Sequence, residues 1–175
     1  MLKTDPGVNV LDSSVEAFID IETTGLSPWE SEITVIGFYI CSGMESRSVQ
    51  LVGRDITRTE VLAILEGVDT IYTYNGARFD LPFIYQHLGI NLAEMYDHCD
   101  LMFQCWSNNL RGGLKGVEKQ LGIARESEGV DGREAIRLWN RYLYSADLEA
   151  LETLLRYNLE DVVNLKTLKE ILNEM

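Results

Sequence analysis

The segment Asp20-Ile21-Glu22-Thr23-Thr24-Gly25 sets two carboxylates two residues apart. On a strand that spacing puts both on one face. The Gly that follows turns the chain at the strand's C-terminal end, where open sheets place ligands. Like charges on an apolar strand repel, and burial raises both pKa values. A divalent cation removes that penalty; a solvated sheet face would also avoid it, but Phe18 shares the face and argues against full exposure. A second segment, Tyr74-Asn75-Gly76-Ala77-Arg78-Phe79-Asp80, ends a strand, turns and starts a helix with Asp80 in an early turn. Asp80 reads either as a helix-start acid favoured by the dipole or as a third carboxylate of one site. Phe79 and Phe83, four apart, read as core. In the third segment, Tyr157-Asn158-Leu159-Glu160-Asp161, Tyr157 and Asp161 share a helical face. The pair is either a rim Tyr with a solvated Asp or a phenol beside a fourth carboxylate.

Hydrophobic periodicity supplies the elements that must carry these groups. Val15 to Thr23 alternates with period two and reads as a strand. Ile33 to Cys41 and Arg47 to Val52 flank Ser42-Gly43 as a hairpin. A short helix over Thr59 to Leu65, capped by Thr57 or Thr59, precedes a strand at Thr70 to Tyr74. A helix over Ala77 to Leu88 stops at Gly89, and Met95 to Leu101 reads as a fifth strand. The last seventy residues contain no strand pattern. Leu114, Val117 and Leu121 mark a helix ending at Gly122; Ile136, Trp139, Tyr142 and Leu143 mark another. Leu148 to Leu172 is one long helix or two in succession. The expected fold class is α/β, a five-stranded mixed sheet with helices on both faces. No repeat, linker or boundary interrupts the 175 residues, so a single domain is expected, with residues 1–12 as an N-terminal extension.

Taken together, the three acidic segments resemble the DEDD superfamily of 3′–5′ exonucleases, which have the ribonuclease H-like fold. The Tyr four residues before the last Asp matches the DEDDy branch. The wording Asp-Ile-Glu-Thr-Thr-Gly-Leu, Tyr-Asn-Gly-x-x-Phe-Asp and Tyr-Asn-x-x-Asp is most similar to the YprB-like stand-alone exonucleases. The resemblance spans about Val15 to Leu172. It implies a site in which Asp20, Glu22, Asp80 and Asp161 hold two Mg²⁺ or Mn²⁺ ions. Asp20 would bridge them, Glu22 and Asp161 would bind the first, and Asp80 would hold the second directly or through water. Two such ions clamp the attacking and leaving oxygens of an in-line displacement. Tyr157, with an ordinary pKa near 10, would orient the attacking water rather than act as a base. The resemblance also places Thr23, Gly25 and Leu26 against the 3′-terminal nucleotide, with Asn75 and Phe79 at the scissile end. Nucleoside 5′-monophosphates would be released.

Charge narrows the partner. Lys and Arg number 15 against 28 Asp and Glu, a formal net charge of −13. Proteins gripping long duplex non-specifically are usually basic. Seven cations against five acids between Arg111 and Arg141 make that segment mildly basic. Arg133, Arg137 and Arg141 are spaced four apart, as are Arg111, Lys115 and Lys119, and each trio reads as a stripe on one helical face. Arg133 and Arg137 are candidate phosphate contacts. Single-stranded or frayed 3′ ends of DNA or RNA are therefore the expected partner, with no membrane. A catalytically silent nucleic-acid-binding or scaffolding module, or a structure-selective endonuclease, are the alternatives on the same fold. Cys99, Cys105, His87 and His98 lack zinc-site spacing, and Gly112-Gly113 opens no phosphate-loop signature. Asp100 reads as a cap. Trp29 is the Trp expected to be exposed. No apolar run reaches the roughly 20 residues of a membrane helix. Residues 1–10 have no apolar core, and three scattered Cys make no disulfide framework, so a cytoplasmic protein is expected.

Overall fold

The computed structural model describes residues 14–127 and 129–175; the proposed extension at 1–12 lies outside them. Five strands, β1 (Val15–Thr23), β2 (Ile33–Ser42), β3 (Glu45–Val52), β4 (Thr70–Thr73) and β5 (Asp97–Asp100), form one sheet in the order β3-β2-β1-β4-β5. The β1–β2 and β2–β3 pairs are antiparallel, while β4 runs parallel to both β1 and β5. The mixed α/β sheet expected from the periodicity is the fold observed.

Strict alternation on β1 sorts its side chains onto two faces. Ala17, Ile19 and Ile21 pair with Ile40, Phe38 and Ile36 of β2. They pack under α1 (Arg58–Ile64) and α2 (Asp80–Leu88), with Val61, Leu81 and Phe83 buried there. The opposite face carries Glu16, Phe18, Asp20 and Glu22. Phe18 is buried there with Val162, Leu165 and Leu168 of α7 (Leu148–Glu174). The Leu148–Leu172 pattern is thus one helix of 27 residues, about 40 Å long at 1.5 Å per residue. Asp147 caps it by accepting from the Ala150 N–H at 3.0 Å. Helices α5 (Leu114–Leu121) and α6 (Gly132–Ser145) flank α7, and α6 buries Leu138 and Trp139 against Val35 and Leu154. Among the described residues no helix is long and apolar enough to cross a membrane.

Three local readings needed correction. The helix read from Ala77 begins at Asp80, because Asn75 adopts a left-handed φ of 63° and its carbonyl accepts from both Arg78 and Phe79. A turn therefore occupies 75–79. The fifth strand is shorter than read and lies between two brief helices, α3 (Leu92–Met95) and α4 (Leu101–Ser107). Their apolar pattern spans too few residues to give a helical period. The Arg111, Lys115, Lys119 trio is not one stripe, since Arg111 precedes α5, which starts at Leu114 behind Gly113.

Candidate active site

Asp20 and Glu22 reach the α7 side at the C-terminal end of β1, where α7 crosses with Tyr157 and Asp161 on its buried stripe. Carboxylate oxygens of Asp20, Glu22 and Asp161 all lie within 4.8 Å of one another. Such close like charge with little water is electrostatically expensive. Desolvation, reinforced by Asp161, drives the Asp20 and Glu22 pKa values well above the usual carboxylate range. Burial also lifts Asp161, to about 6, with Arg125 opposing the rise.

The expected fourth acid stands apart from this trio. Asp80 is buried at the start of α2, and one of its oxygens accepts from the Ile21 N–H at 3.1 Å. It ties the helix to β1 directly between the two strand carboxylates. Burial pushes it up to about 7 despite that bond, and Asp161 and Asp100 add to the rise. Tyr157 is buried beside the carboxylates. Desolvation and then Asp161 and Glu22 hold its phenol protonated far above its ordinary range. Lys115 Nζ lies 4.2 Å above its ring, and its ammonium also donates to the Val130 carbonyl.

Two residues that the spacing did not single out organise the site. Asn158, fully buried, donates from Nδ2 to Asp20 Oδ2 at 3.0 Å and to the Asp20 carbonyl at 3.2 Å. Its Oδ1 accepts from Gln50 Nε2 at 2.9 Å. Room for it exists because Gly37 of β2 lies opposite Asp20; a Cβ at 37 would stand 2.2 Å from Asn158 Oδ1. The signal was a carboxamide inside an apolar helix stripe. Arg125 donates from Nη1 to both oxygens of Glu118, at 2.9 and 2.8 Å, and from Nη2 to Asp161 at 2.5 Å. Nothing local marks Arg125, since its partners come from α5 and α7.

Around the acids the surface opens into two adjoining lobes that share Asp20, Tyr157 and Asp161, with cavity volumes of about 530 and 700 Å³. The first is bounded by Thr23, Gly25, Leu26, Phe79 and Arg133. Leu26 is 86% exposed on a loop closed by Thr23 donating to the Gly25 carbonyl at 2.6 Å and by Thr24 bonds to Glu32. Phe79, read as core, is half-buried and edges this lobe, while Phe83 is fully buried. Asn75 lies in the second lobe with Lys115 and the Gly112-Gly113 turn. The structure does not bring Arg137 to either lobe: it pairs with Glu134 at 3.0 Å, and Arg141 pairs with Asp147. Asp100 is the expected cap, accepting from Met102, and it also accepts from Asn75 and Ala77. Trp29 is exposed, Trp139 is core, and Trp106 is half-buried.

Comparison with known proteins bears on this arrangement. No curated protein matches the chain. Its fold is similar to that of the family B DNA polymerase of the hyperthermophilic archaeon Pyrobaculum calidifontis, with a TM-score of 0.69 at 19% identity. That match covers 91% of this chain and 24% of the polymerase, so the chain spans about a quarter of that relative. It is also similar to Brucella melitensis NrnC with bound Mg²⁺, with a TM-score of 0.57, 21% identity and coverage of 97% of this chain and 76% of that one. A further solved nuclease, in its apo form, matches with a TM-score of 0.58 at 19% identity over 94% of this chain and 73% of its own. The RNase_H_2 family matches residues 17–173, from the middle of β1 to the last turn of α7. Since that span contains the sheet, the crossing helix and every carboxylate described above, the chain belongs to the RNase_H superfamily.

Proposed function

We propose that this protein is a divalent-metal-dependent 3′–5′ exonuclease acting on single-stranded or frayed nucleic acid. The observation that carries the reading is the Asp20, Glu22 and Asp161 cluster, within 4.8 Å, at the floor of two open lobes. Its donors are all hard oxygens, the set that suits Mg²⁺ or Mn²⁺, and their raised pKa values reflect a charge deficit that a cation would relieve. NrnC, of the same fold, has been seen with Mg²⁺ and with pGG.

Asp20, Glu22 and Asp161 would hold the ions, with Asp80 joining through its second oxygen or through water. Bound divalent ions supply Lewis-acid polarisation of the phosphodiester and of the attacking water. The chain's own groups do the rest. Asn158 fixes the Asp20 carboxylate, and Arg125 fixes that of Asp161. Tyr157, held protonated, donates a hydrogen bond and so orients the attacking water; it is no base at neutral pH. Leu26 and Phe79 present apolar surface to the terminal base, and Arg133 faces phosphate from the rim of the same lobe. The products would be nucleoside 5′-monophosphates.

Melting in Mn²⁺ tests the site, because a ligand that binds only the folded state raises Tm. Wild type should gain stability and shorten a 5′-labelled single strand as a descending ladder. Asp20→Asn should lose both responses while remaining folded. An Asp20→Asn protein that still responds to Mn²⁺ would refute the assignment.

A further inference from the structure

Beyond the two lobes, α4 and the turns on either side of it form a cluster that the reaction does not use. Met102 edges the second lobe; on the same helix Phe103 and Trp106 stand in an edge-to-face pair with ring centroids 5.6 Å apart. The Arg78 guanidinium lies 5.6 Å from the Phe103 centroid and 5.7 Å from that of Trp106. Arg111 also approaches Trp106, at 5.8 Å. Both arginines are exposed, and Phe103 is 42% exposed.

Two features set this cluster apart from ordinary surface. In a chain with a net charge of −13, several arginines have no ion pair among the described residues, and of these only Arg78 and Arg111 lie over aromatic rings. The nearby acid Asp100 is buried, with its oxygens engaged by the backbone N–H groups of Asn75, Ala77 and Met102. The cluster is also continuous with the site. Arg78 sits in the turn between Asn75 and Phe79, one residue of each lobe, and Arg111 precedes the Gly112-Gly113 wall. The Tyr74 hydroxyl pins that wall by donating to the Gly112 carbonyl at 2.7 Å.

We infer that Arg78, Phe103, Trp106 and Arg111 form a binding track for the substrate strand 5′ of the scissile nucleotide. The inference rests on the exonuclease reading and deepens it, from a site that takes a 3′ end to one that grips a strand several nucleotides long. Aromatic faces stack bases irrespective of sequence, and guanidinium groups both stack and neutralise phosphate. Unpaired cations placed over rings, leading out of a carboxylate-floored cleft, match that polymer in charge and in shape. The chain's net charge of −13 disfavours phosphate over much of the remaining surface.

The test compares a 5′-labelled dinucleotide with a 5′-labelled single-stranded twelve-mer, measured by anisotropy in Ca²⁺ and by turnover in Mn²⁺. For Arg78→Ala/Arg111→Ala, twelve-mer affinity should fall about tenfold and its KM should rise in parallel, with dinucleotide values held within twofold. The salt slope for the twelve-mer should flatten by roughly 1.4, two phosphates at about 0.7 each. Trp106→Ala should show the same length dependence; if that chain does not fold, the arginine pair alone decides. Equal losses for both lengths, or no loss for either, would overturn the track and leave the exonuclease reading standing. Failure of the wild type to bind or cleave either oligonucleotide would overturn both.

Discussion

Asp80 illustrates how a single carboxyl reports its surroundings. Its pKa is pushed up to about 7 by burial, against about 3.9 for a free Asp. A folded-state pKa raised above the unfolded one means that the folded protein holds the proton more tightly. The associated stability is present below about pH 4 and is lost as pH rises through about 7. Without divalent ions, Tm should therefore decline across that window, and Asp80→Asn should flatten the decline. The variant should be more stable than wild type by about 1–3 kcal/mol at pH 8 and little different at pH 4. Denaturant titrations at the two pH values check this; equal differences at both would show that Asp80 does not titrate in the window. At Gly37 the argument is steric. A Cβ there would displace Asn158, so Gly37→Ala should weaken Mn²⁺ binding through a misplaced Asp20 carboxylate, with a stability loss of about 1–3 kcal/mol. A Mn²⁺ titration followed by Tm measures it.

At the scale of elements, the site is a junction between β1, α5 and α7 whose keystone is a side chain from the connection after α5. Arg125 joins Glu118 of α5 to Asp161 of α7, and Asn164 adds a bond from α7 to the same Glu118 at 2.9 Å. Both carboxylates are buried, so removing the cation leaves them uncompensated. Arg125→Met should destabilise by about 3–5 kcal/mol at pH 8, the usual consequence of breaking a buried pair from one side. The loss should shrink toward pH 5, where Asp161, with a pKa of about 6, takes up a proton. Mn²⁺ should restore part of the stability by supplying positive charge at Asp161. Urea unfolding with and without the ion tests all three points.

For the whole molecule, charge distribution and cleft shape bear on the kind of substrate proposed. On the proposed reading, an acidic body with Arg78, Arg111 and Arg133 at or beside one cleft suits a strand end threaded into the site rather than a duplex laid across the surface. A circular single strand should then survive conditions that degrade its linear form completely. Gel analysis of the two in Mn²⁺ decides, and comparable cutting of the circle would point to an endonuclease.

The sequence by itself determined the strands of the sheet and the helical character of 148–172, because both depend on local periodicity, two for β1 and 3.6 for α7; that α7 is one helix of 27 residues came from the structure. It also put Asp20 and Glu22 on the strand face of Phe18, and Tyr157 with Asp161 on one helical face, while the structure shows Glu22, Tyr157 and Asp161 to be buried. Tertiary structure alone decided which of these groups meet. Asp80 reads either as a helix-start acid or as a further carboxylate of the site; it does begin α2, and it accepts from the Ile21 N–H, a bond across 59 residues. Arg133, Arg137 and Arg141 do share one helix face, yet Glu134 and Asp147 engage the latter two and leave only Arg133 at the cleft. The pairing of Asn158 with Asp20, of Arg125 with Asp161, and of Arg78 with Trp106 joins segments distant in sequence or carried on different elements. Periodicity records only which way a side chain points within its own element; what it meets depends on how those elements cross, and that is settled by packing over the whole sheet.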